Sequence, residues 1–155
     1  MKTPFKSDWF WLAARLFLGL VFAYAGFSKL MEPLENFRGA LAQYEVIPYR
    51  LLTPMATVLP WLELTFGIFT MLGFATRLSS LALALFSLSF LIVLGSSHVL
   101  LGSFPISCGC FGEGGIHLSV RQVFVLDLVN FFLGLKLFRH PKKPLWSLDR
   151  LLGKA

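Results

Sequence analysis

The chain has 155 residues, 56% of them hydrophobic and 14% charged, with a formal net charge of +6 and a mean hydropathy of +0.72. That balance excludes an ordinary soluble domain and indicates a single membrane domain over residues 1–155. The excess positive charge does not signal nucleic acid, because the lysines and arginines sit at segment ends and in the tail, where they read as topology and lipid signals.

In chain order, the first apolar segment covers residues 9–31, opened by Trp9 and Trp11 at an interface and closed by Lys29. Arg15 lies inside it, with a stem long enough to reach headgroups or a buried partner. Gly19, Ala23 and Gly26 put small residues on neighbouring turns, so a second helix can come close. Lys2 and Lys6 before an apolar run, with Ala23-Tyr24-Ala25 after it, resemble a cleavable leader, but the length of the run and Arg15 within it favour a retained helix. Residues 32–50 are mixed. Leu34, Phe37, Leu41 and Tyr44 recur at helical spacing, which predicts a short amphipathic helix on the membrane surface, ended near Pro48.

A second span is expected over residues 51–72, with Pro54 and Pro60 in its first half and Glu63 near its centre. An ionised carboxylate there must face the bundle, and by depth Arg15 is the cation expected to reach it; structural pairing and proton relay both fit Glu63. After a turn at Gly73, Ala75 and Arg77, a third span covers residues 78–100. No Asp, Glu, Lys or Arg occurs from residue 78 to 112, well beyond the roughly 18 uncharged residues that suggest a spanning helix. His98 near its end suits capping, or lowering the pKa of a nearby thiol. The fourth span, residues 120–137, carries Asp127 and Asn130 three apart and so on one face; Asp127 fits either a structural or a proton-handling role. Beyond it, residues 138–155 form a basic tail in which Lys142, Lys143 and Arg150 occur alongside Trp146, Leu148, Leu151 and Leu152, as in a helix resting on an anionic leaflet.

Between the third and fourth spans lies Ser107-Cys108-Gly109-Cys110-Phe111-Gly112, which contains the only two cysteines of the chain. The intervening glycine lets the backbone bend so that the sulfurs can meet, and the small, strained ring is easily reduced. So short a loop removes little unfolded-chain entropy, and a reactive bond is favoured over a structural staple. Two other readings stay open: small apolar residues in a buried turn, or half of a metal site completed by His98 and His117, although paired metal-binding knuckles are absent.

Four spans put both termini on one side. Lys2, Lys6, Arg77, Lys136, Arg139, Lys142, Lys143, Arg150 and Lys154 share that side, against Lys29, Arg38, Arg50 and Arg121 opposite. The positive-inside rule then makes the termini cytoplasmic and the cysteine loop external, where disulfides persist.

Ala14-Arg15-Leu16-x-Leu18-Gly19-x-x-Phe22-x-x-Ala25-Gly26-x-x-Lys29-Leu30, then Leu62-Glu63-x-x-x-Gly67 and Leu72-Gly73-x-x-Thr76-Arg77, resemble the DoxX-type four-helix membrane proteins. Cys108-Gly109-Cys110-Phe111-Gly112 resembles the MauE branch, whose namesake is needed to mature the disulfide-rich small subunit of methylamine dehydrogenase. This resemblance, over residues 9–137, implies an inner-membrane redox protein working with a periplasmic thioredoxin-like or disulfide-rich partner, with Cys108 and Cys110 at the redox position. The small four-helix architecture is also similar to that of vitamin K epoxide reductase, which suggests quinone as electron acceptor. The expectation is therefore an all-α bundle of four transmembrane helices with a short periplasmic interfacial helix and a cytoplasmic amphipathic tail. Cys108 and Cys110 would exchange disulfides, and His98 or His117 would assist proton transfer. The rival class is a non-catalytic accessory or assembly subunit of a larger membrane complex.

Overall fold

The computed structural model describes residues 4–44, 47–101 and 119–139. Five helices account for nearly all of them: α1 (Pro4–Met31), α2 (Leu34–Ala42), α3 (Tyr49–Leu72), α4 (Thr76–Leu101) and α5 (Val120–Arg139). Cys108, Cys110, His117 and the tail from residue 140 lie outside the described residues, as does the side chain of His98, whose backbone belongs to α4.

Local chemistry sets the helix ends. Pro33 and Pro48 stand immediately before α2 and α3 in extended conformations. Gly73 ends α3 at φ 70°, a left-handed conformation that costs glycine nothing. The amides of Gly73 and Phe74 donate back to Thr70 O and Phe69 O, which satisfies the last carbonyls. α5 opens on a capping box: the Gln122 amide donates to Ser119 Oγ at 3.4 Å, and the Ser119 amide donates to Gln122 Oε1 at 2.9 Å. α3 runs unbroken through Pro54 and Pro60.

The helices pack in two antiparallel pairs, α1 with α3 and α4 with α5. Glycines decide how close each pair comes. A Cβ on Gly26 would lie 2.6 Å from Pro60 O, and one on Gly67 would lie 2.6 Å from Ala23 N, so the α1 and α3 backbones touch. Gly134 plays the same part against Ser80 O, at 2.9 Å, between α5 and α4. Leu18 and Phe22 of α1, Leu83 of α4 and Leu137 of α5 then close a core that joins the pairs.

The amphipathic helix expected over residues 32–50 is shorter, Leu34–Ala42. Its apolar face does not lie open: Phe37 and Leu41 pack on Leu52 and Ala56 of α3. Three helices are long and apolar enough to cross a membrane, over Trp9–Met31, Tyr49–Leu72 and Thr76–Ser96. Phe17, Leu20, Phe27, Trp61, Leu85 and Ile92 point outward from them, as lipid-facing residues do. α5 covers the fourth expected span but carries Arg121, Asp127, Lys136 and Arg139 within 20 residues, and it is not among the three.

Because α3 and α4 are joined by the tight turn at Gly73, the C-terminal ends of α1 and α4 share one end of the bundle with the N-terminal ends of α3 and α5. In the sequence, the segment holding Cys108 and Cys110 connects the two helix termini, Leu101 and Val120, that lie at this end.

Candidate functional site

Near the middle of α3 and the C-terminal end of α1 lies a buried ion pair. Lys29 Nζ donates to both carboxylate oxygens of Glu63, at 2.9 Å to Oε1 and 2.6 Å to Oε2. Each side chain is only 1% exposed. Phe37 of α2 and Phe90 of α4 stand against the pair, with ring centroids 4.9 and 5.1 Å from the ammonium, so their negative faces stabilise the buried cation. Four helices thus converge on one amino group.

The cation expected to meet Glu63 is therefore the wrong one. Gly19 faces Gly67, so along antiparallel axes Arg15 and Glu63 lie four residues away in opposite directions. At 1.5 Å per residue that separates their levels by about 12 Å. Lys29 stands a turn beyond Gly26, which abuts Pro60 and Leu64, and helical side chains lean toward the N-terminus, which carries the ammonium back to Glu63. Arg15 is nonetheless buried, at 2% exposure.

Asp127 and Asn130 share an inward face of α5, as their spacing requires, and both are buried. With Lys29 and Glu63 they line a cavity of about 20 Å³, whose apolar walls include Phe22, Ala25 and Val123. Glu63 and Asp127, two of the residues singled out from sequence, are thereby brought to one place, while Arg15 stays apart from it.

A second cavity, about 160 Å³, lies between α2, α3 and α4. Phe37, Tyr44, Phe86 and Phe90 give it aromatic walls, and Ser89 supplies a hydroxyl. Phe37 and Phe90 also cover Lys29, so the apolar cavity and the ion pair share those two rings. Among the described residues, no group of three or more His, Cys, Asp or Glu is placed to hold a metal ion.

Lys29 is the site residue that sequence reasoning missed as a partner. Its signal was present: Gly26-x-x-Lys29 puts a close-approach glycine one turn before a long cation.

The family described as "Methylamine utilisation protein MauE" matches residues 7–138. The methylamine utilization protein MauE of Methylophilus methylotrophus is 39% identical over 99 residues, which cover 63% of this chain and 50% of that protein. Its namesake from Paracoccus denitrificans is 33% identical over 117 residues, 74% of this chain and 60% of the relative. The one from Methylorubrum extorquens is 35% identical over 103 residues, 64% and 53% of the two chains. This chain therefore spans about half to three fifths of the relatives' own length. No solved structure matches it. A match over residues 7–138, on an all-helical fold with three apolar helices of spanning length, makes the chain a member of the MauE family.

Proposed function

We propose that this membrane protein is a thiol-disulfide exchange protein, with Cys108 and Cys110 as the reacting pair and a thioredoxin-like or disulfide-rich protein outside the cytoplasm as its partner. The observation that carries this reading is the Cys-Gly-Cys sequence, the only thiols of the chain, within a match to a family named for methylamine utilisation. α5 is the fourth span. Its 20 residues reach about 30 Å, the thickness of the hydrocarbon core. Phe124, Val125, Leu128 and Phe132 face outward while Asp127 and Asn130 face inward, the inverse of a soluble helix. The distribution of Lys and Arg supports cytoplasmic termini in the inner membrane, with the basic tail on an anionic leaflet.

In the exchange, one thiolate attacks the partner's disulfide and the second cysteine resolves the mixed disulfide, which leaves the partner as a dithiol and the pair here as a disulfide. The reverse reaction oxidises the partner. His98 and His117 are the histidines nearest in sequence and would assist the proton transfers. Two cysteines on one side of the membrane cannot pass electrons across it, so turnover needs an electron donor when the partner is reduced and an acceptor when the partner is oxidised, either a quinone in the bilayer or another protein. A quinone balances the step: dithiol and quinone give disulfide and hydroquinone, moving two electrons and two protons. The cavity of about 160 Å³ supports this choice. A dry cavity of about 150 Å³ lined by Leu, Ile and Phe accommodates benzene, so a single quinone ring is of about the right size.

Serine at both Cys108 and Cys110 abolishes maturation of the disulfide-bearing partner while leaving membrane insertion and assembly intact. Partner disulfide content and blue-native migration measure the two effects together. Full maturation with both serines in place would favour the alternative, a non-catalytic assembly subunit whose outward apolar faces pack against a larger complex.

A further inference from the structure

The cavity between the ion pair and α5 is too small for an organic ligand and large enough for one water. Its volume is about 20 Å³, and a water needs roughly 10–15 Å³ by the same measure, together with two to four polar partners. Lys29, Glu63, Asp127 and Asn130 supply those partners from three helices. Asn130 gives the strongest indication. It is 1% exposed, and neither its Nδ2 nor its Oδ1 has a hydrogen-bond partner among the described residues. An amide buried in that condition costs free energy that one bridging molecule removes.

We infer that this cavity is a hydration site holding one long-lived water, which accepts a hydrogen bond from Asn130 Nδ2 and donates to the carboxylate side of the Lys29–Glu63 pair. The water joins α5 to the α1–α3 pair through polar contacts at a level where the bilayer offers none. Its geometry also connects the Glu63 and Asp127 carboxyl groups, on different helices, through one small hydrogen-bonding molecule. The inference does not depend on the cysteines and stands or falls independently of the exchange reading.

The test uses the full chain in detergent micelles or nanodiscs, with asparagine labelled by ¹⁵N. Asn36 and Asn130 are the only asparagines, so two side-chain amides appear, and Asn36→Ser assigns them. The Asn130 amide shows a cross-peak to water of the sign expected for a bound molecule. Its opposite sign in the rotating frame separates it from proton exchange. Val123→Ile adds one methylene to a wall of the cavity and abolishes the cross-peak while the backbone spectrum keeps its native dispersion. A resolved Asn130 amide with no water cross-peak would overturn the inference, as would a cross-peak of undiminished intensity in the folded Val123→Ile protein.

Discussion

Replacing Lys29 by methionine destabilises the bundle by about 3–5 kcal/mol, the cost of leaving one member of a buried pair without its partner. Glu63 would then hold its carboxylate at 1% exposure without its counter-ion, in a cavity also lined by Phe22 and Phe90. Unfolding of the purified protein by a denaturing detergent, followed by helical circular dichroism, measures the loss. The double variant Lys29→Met/Glu63→Leu recovers most of it, because removing both charges also removes both desolvation penalties. These two variants separate structure from chemistry. A stable double variant that no longer supports partner maturation assigns the pair a working role, and one that supports it fully makes the pair a structural clasp. A neutral Lys29→Met would show that the ion pair contributes nothing to the fold.

The second large effect falls on the α1–α3 contact. In Gly67→Val the first added carbon already lies 2.6 Å from Ala23 N and 2.9 Å from Gly19 O, both backbone atoms that no side-chain rotation can move aside. The helices must separate, and the expected loss reaches or exceeds the upper end of the 1–3 kcal/mol typical of overpacking. Separation also draws Glu63 away from Lys29, so the two effects are coupled rather than additive. Gly39→Ala provides the control. Nothing lies within 4 Å of a Cβ at that position in α2, and the substitution stabilises the helix by about 0.5–1 kcal/mol. The same unfolding measurement ranks all three proteins. Equal stability of Gly67→Val and the wild type would contradict the close approach of α1 and α3.

The positions of the helices could be read from hydropathy alone because the bilayer imposes its own length on them: the expected spans at 9–31, 51–72 and 78–100 lie within α1, α3 and α4 apart from small shifts at their ends. Gly19, Ala23 and Gly26 were legible as a close-packing face for the same kind of reason, since small residues on successive turns have little other use in lipid. Asp127 and Asn130 share an inward face because helical periodicity fixes that from spacing. The partner of Glu63 was not legible from depth counted along isolated segments. It depends on the offset between two antiparallel helices, set by where Gly26 meets Pro60, and on the lean of a lysine stem. The seating of α2 on α3 was hidden likewise. An amphipathic pattern shows which face is apolar without showing whether lipid or protein covers it. Spacing carries no signal at all for the two cavities, which arise where three or four helices fail to fill the space between them.

The most direct test of thiol-disulfide exchange is the redox state of Cys108 and Cys110 in intact membranes, read as a gel shift with a bulky maleimide. The label is applied from outside, with and without prior reduction, and after adding quinone or hydroquinone. The account predicts a pair that labels only after reduction, is reached from the external side, and moves between the two states with the quinone pool or with a partner thiol. Two free thiols whose labelling is the same under every condition would contradict it, and the chain would then act as an assembly subunit.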